Sequence, residues 1–226
     1  MLIYIVLYDF HSHTFHSDGV LSPLELIRRA VVNGYSAIAV TDHIGMGSLE
    51  RVIGEVSEDC ELARSRWGIL AIPGVELTHV PSSAIDELAR KAKELGAWLV
   101  VVHGETTIEP VEPGTNMAAV RSRCVDILAH PGKITAEVAA LAGKNGVFLE
   151  ITSRKGHSIT NTHVAKTAGK AKALMLLNSD THDEDDLLTD ATANEILLQA
   201  GISTLKFRQI LRLNPLKLLQ KIRQLP

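Results

Sequence analysis

The stretch DFHSHTFHSDG, residues 9–19, sets His11, His13 and His16 within six positions and follows them with Asp18, in a chain of 226 residues with ten histidines. Imidazole nitrogens and carboxylate oxygens are the donors that bind zinc, manganese and iron ions. A polar surface loop rich in histidine would read the same, so this stretch alone leaves both readings open. The rest of the chain separates them. Further histidines and acids stand in TDH (Asp42, His43), GVE (Glu76), VHG (His103), AHPG (His130), LEIT (Glu150) and NSDTH (Asp180, His182), each at or just past the end of an apolar run. Six of the ten histidines fall at such places, which a scatter of unrelated residues would not do. In extended backbone, residues i and i+2 point the same way, so His11 with His13, and Asp180 with His182, can share one centre. The number of donors exceeds what one open catalytic ion takes, and suggests two or three divalent ions, Zn, Mn or Fe, joined by shared carboxylates.

What must position these residues is a set of strands. Seven short apolar runs, IYIVLYDF, SAIAVTDH, GILAIPGVE, AWLVVVHG, VDILAHPG, GVFLEIT and ALMLLNSDTH, alternate with amphipathic segments that carry helix-start and helix-stop residues. Ser22, Pro23, Glu25 and Gly34 bound the first helix, with Glu25 completing a capping box; Ser83 and Gly96 bound another, and Thr192 with Glu195 forms a second capping box. Strands that read as continuously apolar are buried on both faces, and strand–helix alternation implies a parallel sheet. The expectation is an α/β barrel forming a single domain over residues 1–226, with the metal site at the carboxyl ends of its strands. The open doubly wound sheet is the alternative.

Composition narrows the partners. Hydrophobic residues make up 46% and charged residues 22%, the balance of a globular chain. Aromatics at 4% and a net charge of −3 argue against a surface that stacks bases or attracts a polyanion, so nucleic acid is not the expected partner. Cys60 and Cys124 are far apart and supply neither a disulfide framework nor a thiolate site. The opening MLIYIVLY lacks a basic flank and is too short for a signal peptide or membrane span, so no membrane role is expected and the default location is the cytoplasm. The segment of about residues 203–226 carries six basic and no acidic residues with leucines at helical spacing, and is expected to lay its leucines on the barrel and leave its lysines in water.

The motifs HSHTFHSDG, TDH, GVE, VHG, AHPG and NSDTH, in this order from Asp9 to His182, resemble those of the PHP (polymerase and histidinol phosphatase) family. The resemblance implies a distorted (β/α)7 TIM-like barrel. It also implies that His11, His13, Glu76 and Asp180 hold one metal. Glu76 would bridge to a second metal held with His103 and His130, and Asp18, His43 and His182 would hold a third. Some members carry histidine at the position of Asp18. The activity implied is metal-dependent hydrolysis of a phosphate ester, in which the ions lower the pKa of a shared water and neutralise the phosphoryl oxygens. The leading substrate is a small phosphomonoester, histidinol phosphate or a nucleoside or nucleotide phosphate. The alternatives are a nuclease acting on nucleic-acid ends and a non-catalytic scaffold for RNA processing. Asp42, beside His43, is either an acid/base group or a support for a ligand. Arg154, Lys155 and His157, just past the sixth run, are candidates to bind the phosphorylated substrate. Asp9 reads as structural, His16 as a loop residue in water, His79 as the start of a loop and His163 as part of a helix face. The loop ETTIEPVEPGTN is long enough to fold over the mouth of the barrel.

Overall fold

The computed structural model describes residues 7–223. In chain order the elements are β1 (Leu7–Asp9), α1 (Pro23–Val32), β2 (Tyr35–Val40), β3 (His43–Ile44), α2 (Leu49–Trp67), β4 (Leu70–Leu77), α3 (Ile85–Glu94) and β5 (Leu99–His103). There follow α4 (Thr115–Arg121), β6 (Ile127–Ala129), α5 (Ala136–Asn145), β7 (Phe148–Thr152), α6 (Asn161–Ala171), β8 (Met175–Asn178), α7 (Asp190–Gln199) and α8 (Asn214–Arg223). The strands pair in parallel in the order β1-β2-β4-β5-β6-β7-β8, with the two-residue β3 added beside the end of β4. Part of the first apolar run, residues 3–6, lies outside the described residues.

The seven-stranded sheet curls into a nearly closed barrel, a distorted (β/α)7 fold rather than an open sheet. Among the described residues its seam, between β8 and β1, carries no regular ladder. It is stitched past the strand ends, where His13 N donates to Thr181 O (2.8 Å), Asp180 N to His11 O (2.9 Å) and Phe10 N to Asn178 Oδ1 (3.1 Å). Closure therefore occurs on the residues that carry the candidate donors.

Strand parity divides the apolar residues into two cores. Ala37 and Ala39, Ile72, Leu99 and Val101, Ile127 and Ala129, Phe148 and Leu176 fill the barrel, while Ile38, Val40, Val100, Val102, Leu128, Leu149 and Leu177 face the helices. Continuing the inward parity along each strand reaches Glu76 on β4, His103 on β5 and Glu150 on β7. At the opposite end of the barrel Leu218, Leu219 and Ile222 of α8 pack against the interior cluster as a plug. Its lysines are not all left in water: Lys221 Nζ lies 3.0 Å from buried Asp126, which also receives Lys93 at 2.6 Å, and donates to Val125 O and Gly146 O.

Helix ends follow their local chemistry, with exceptions. Ser22 Oγ accepts from Glu25 N and Pro23 opens α1, as expected, but the Glu25 carboxylate turns to Arg29 instead of completing a capping box. The capping box of α7 starts three residues earlier than expected, at Thr189 with Thr192, because Thr192 Oγ1 reaches back to Thr189 N. Ser83 lies in a single 3₁₀ turn and α3 begins at Ile85.

Candidate metal centre

Buried side chains converge at the carboxyl ends of the strands. His11, delivered by the seam, places Nε2 3.3 Å from Glu76 Oε1, 3.7 Å from Asp180 Oδ1 and 3.0 Å from His13 Nε2. His13 Nε2 stands 3.2 Å from Asp180 Oδ1, and His130 Nε2 lies 3.6 Å from Asp180 Oδ2 and 3.8 Å from Glu76 Oε1. His43 and His182 face Asp18 Oδ1 at 3.5 and 3.2 Å, and His43 Nδ1 is 2.6 Å from Glu76 Oε2. His103 Nε2 turns toward the mouth, 3.2 Å from Glu109 Oε2. Four groups of donors gather within single-ion reach: His11–His13–Asp180, His11–Glu76–His130, His13–Asp18–His43–His182, and His103–His130–His157. All nine donors named from the sequence thus meet at one end of the barrel. The groups differ from the implied ones in three ways: His103 gathers with His157 and His130 instead of with Glu76, His11 joins Glu76 and His130, and His13 joins Asp18, His43 and His182.

Whether these residues suit metal can be tested on hydrogen bonding and geometry. Among the described residues, the buried side-chain atoms without a hydrogen-bond partner are His13 Nδ1, Glu76 Oε1, His103 Nδ1 and His130 Nδ1, all in this cluster. An orphaned buried polar atom costs about 1–3 kcal/mol, and a carboxylate oxygen ringed by imidazole nitrogens with no donor is where a cation belongs. Donors about 2.0–2.2 Å from a shared tetrahedral ion stand about 3.3–3.6 Å apart, and eight of the ten separations above, at 3.2–3.8 Å, lie in or within about 0.2 Å of that range. The donor set fits divalent ions.

Other residues fix the donors' orientation. His11 Nδ1 donates to Glu150 Oε1 (2.8 Å), which leaves Nε2 for the cluster; Glu150 in turn accepts from Asn178 Nδ2 (2.8 Å) and from His130 N (3.0 Å). His182 Nδ1 donates to Asp180 O at 2.9 Å with the same effect on its Nε2. His130 and Asp180 hold left-handed backbone, φ 22° and 57°, although neither is glycine; such strain is retained where the surroundings over-determine it.

The electrostatics of the cluster are set by burial working against its close opposite charges. Burial disfavours charge on His11, but Glu150, Glu76 and Asp180 outweigh it and raise its pKa well above the ordinary value. Burial is likewise overcome at His43, raised to about 10 by Glu76 and Asp18. Burial and the neighbouring imidazoles push His13 and His130 far down, into the neutral form that binds metal. Burial would raise Glu76, yet His11 and His43 hold it well below the carboxylate range. Asp180 is raised by burial to about 7.

A cavity of about 250 Å³ opens above the cluster, lined by Asp18, His43, Thr78, His103, His130 and Asp180 together with His79, Glu109, Arg154, His157 and His182. Arg154 enters it from the loop after β7, with one terminal nitrogen 2.9 Å from Asp186 Oδ2. His157 is buried at its edge, its ring stacked on His130 at 4.1 Å between centroids. Lys155 is exposed and does not line the cavity, because the turn after Arg154 carries it outward. Asp42 is not aimed at the cavity either. Its buried carboxylate accepts from Thr14 N (2.7 Å), Thr14 Oγ1 (2.7 Å) and Ser17 Oγ (2.6 Å), so it braces the loop that carries Asp18, and the acid/base alternative has no geometry to support it. Asp9 accepts from His11 N and Ser179 N inside the seam, His163 donates to Ile134 O on the face of α6, and His16 pairs with Glu55 at 3.1 Å rather than with water.

Two carboxylates of the site were not assigned from the sequence. Glu150 was visible at a strand end, but only the fold shows that it supports His11. Glu109 sits in an irregular loop with three glutamates, and nothing in the spacing singles it out. It contacts His79 Nε2 and His103 Nε2 at 3.2 Å and His157 Nε2 at 3.3 Å, and its bond to His103 holds its pKa down near about 2.

A PHP domain model matches residues 9–186. The chain is 46% identical over 216 residues to an uncharacterized protein of Methanocaldococcus jannaschii, covering 95% of this chain and 99% of that one. It is 30% identical over 223 residues to a probable phosphatase of Shewanella pealeana, covering 86% and 84%. Among solved structures it is similar in fold to the histidinol phosphate phosphatase of Lactococcus lactis complexed with zinc, L-histidinol and phosphate. That likeness has a TM-score of 0.61 at 13% identity and covers 87% of this chain and 94% of that one.

Proposed function

Since this chain belongs to the PHP domain family and is a metal-dependent phosphoesterase, we propose that its substrate is a small phosphomonoester, hydrolysed over two or three ions held by the nine donors at the strand ends. The observation that carries this reading is that six of the nine donors, Asp18, His43, His103, His130, Asp180 and His182, line one cavity of about 250 Å³ together with Arg154. That volume suits a phosphoryl group with a compact leaving group, being at or below the lower end of the range for drug-sized ligands, roughly 300–1,000 Å³.

Divalent ions in this setting supply Lewis acidity, lowering the pKa of water and neutralising the phosphoryl oxygens. The residues of the chain do the rest. His11, held by Glu150, and His182, held by the Asp180 carbonyl, keep their Nε2 atoms aimed into the cluster and need no reorganisation to act. Arg154 uses one nitrogen on Asp186 and retains donors for a phosphoryl oxygen, with its plane set by that ion pair. His11, His13, Glu76, His103, His130 and Asp180 are buried, which keeps bulk water from their donor atoms and strengthens the charge interactions among them.

The experiment is to count metals by elemental analysis in protein purified without chelator, and to assay the same sample for phosphate release. The panel contains histidinol phosphate, nucleoside phosphates and short oligonucleotides. Two or three tightly held ions with turnover of a small monoester support the proposal. Release of nucleotides from oligonucleotide ends would replace it with the nuclease reading, and a protein inert after addition of manganese or zinc would bring forward the non-catalytic scaffold.

A further inference from the structure

The loop that follows β5 does more than cover the mouth. Its base is pinned where Gly104 passes so close to the Ala129 and Pro131 backbone that no Cβ would fit. Glu105 Oε1 then accepts from Gly114 N (3.0 Å) and Asn116 N (2.8 Å), which closes the loop on itself, while Glu112 is taken up by Ser82. Of the three carboxylates of this loop, Glu109 is the one directed at the imidazoles over the cluster.

The contacts of Glu109 have the form of a coordination shell. Its two oxygens stand 3.2 Å from His103 Nε2 and 3.3 Å from His157 Nε2, and ligands of one tetrahedral ion are about 3.3–3.6 Å apart. His157 is prepared for such a role: Thr106 Oγ1 engages its Nδ1 at 2.7 Å, which leaves Nε2 toward Glu109. His103, His130 and His157 already gather within single-ion reach. His79, in left-handed backbone at φ 51°, brings a further imidazole to the same Glu109 oxygen at 3.2 Å.

We propose that Glu109 and His157 are metal ligands that complete the centre at His103 and His130, so that the loop of residues 104–114 closes over the site by binding the ion itself. This rests on the metal-centre reading above and adds to it two ligands from outside the strand-end motifs. A centre built this way couples metal loading to the order of the loop that shapes the substrate entrance.

The test compares stripped wild type with E109Q and H157Q, each reloaded with zinc and desalted, by zinc per chain and by the rate of release to a chromogenic chelator. The expected result is that both variants hold one ion fewer than wild type, or release one ion about 10-fold faster or more, while the remaining ions behave as in wild type. Cobalt-loaded samples should show a matching change in the visible absorption of one ion, which a merely structural role of Glu109 would not produce. E109Q changes a partly exposed side chain, so it carries the test if H157Q folds poorly. A loaded wild type whose variants match it in count, release and absorption overturns this assignment alone. A wild-type chain that takes up no zinc or cobalt overturns both it and the metal-centre reading.

Discussion

Removing the Asp42 carboxylate distinguishes a brace from a proton donor. Asp42 is fully buried and its two oxygens accept three hydrogen bonds, from Thr14 N, Thr14 Oγ1 and Ser17 Oγ. In Asp42→Ala the Thr14 N–H cannot re-aim and remains unpaired, at about 1–3 kcal/mol, whereas the two hydroxyls can rotate to other acceptors and lose roughly 1 kcal/mol each. The sum is about 3–5 kcal/mol, or a fall in Tm of roughly 6–20 °C at the usual 2–4 °C per kcal/mol for a chain of this size. Asp42→Asn keeps one oxygen for Thr14 N and can donate its amide to the Thr14 hydroxyl, so it should cost about 1–2 kcal/mol. Thermal melts of the zinc-loaded proteins measure both. Because the loop carries Asp18, the variants should also release zinc faster, with activity recovering as zinc is raised. An Asp42→Asn protein of unchanged Tm and metal affinity, whose turnover falls at every zinc concentration and loses one limb of its pH profile, would refute the brace and restore Asp42 as an acid or base.

Chelation should lower the Tm in proportion to loading, since an ion that binds only the folded chain adds about 4 kcal/mol at a thousand times its Kd; a melt unmoved by chelator would contradict metal binding at the cluster. His11→Ala should abolish hydrolysis, leaving a folded barrel by circular dichroism. Leu218→Ala, which empties a fully buried position in the plug, should cost about 2.7–5 kcal/mol in denaturant unfolding with metal content unchanged. Asp126→Ala strands Lys93 and Lys221 beside the same end of the barrel and should cost about 3–5 kcal/mol; a loss within 0.5 kcal/mol would show that the cluster contributes little. Cys60 is buried, and burial pushes its thiol up to about 12, so a thiol reagent should label the half-buried Cys124 alone in the native protein and both cysteines in denaturant.

Among the described residues no helix is long and apolar enough to cross a membrane, in keeping with the polar helix faces visible in the sequence. The barrel was legible because its strands are short, apolar and separated by residues with unambiguous turn and cap chemistry. Boundaries shifted where two caps competed, as at Thr189 and Thr192, since local propensity does not say which hydroxyl finds the free N–H. The candidate donors were legible because histidine and acid recur at the ends of the apolar runs, the end at which a parallel barrel gathers its site residues. Lys155 illustrates the limit: it adjoins Arg154 in sequence, but one turn of loop sends the two side chains to different surfaces.

The sequence by itself determined the inventory of the site, the strand ends that bear it and the parity that aims Glu76, His103 and Glu150 inward, because these follow from residue type and period-two geometry. Only the tertiary structure decided which donors meet. The seam joins His11 and His13 to Asp180 across 167 to 169 positions of chain, a loop carboxylate, Glu109, reaches three imidazoles, and Asp42 turns away to brace Thr14 and Ser17. Such pairings depend on how the barrel closes and where a loop lands, and both are set by long-range packing that no local pattern of residues encodes.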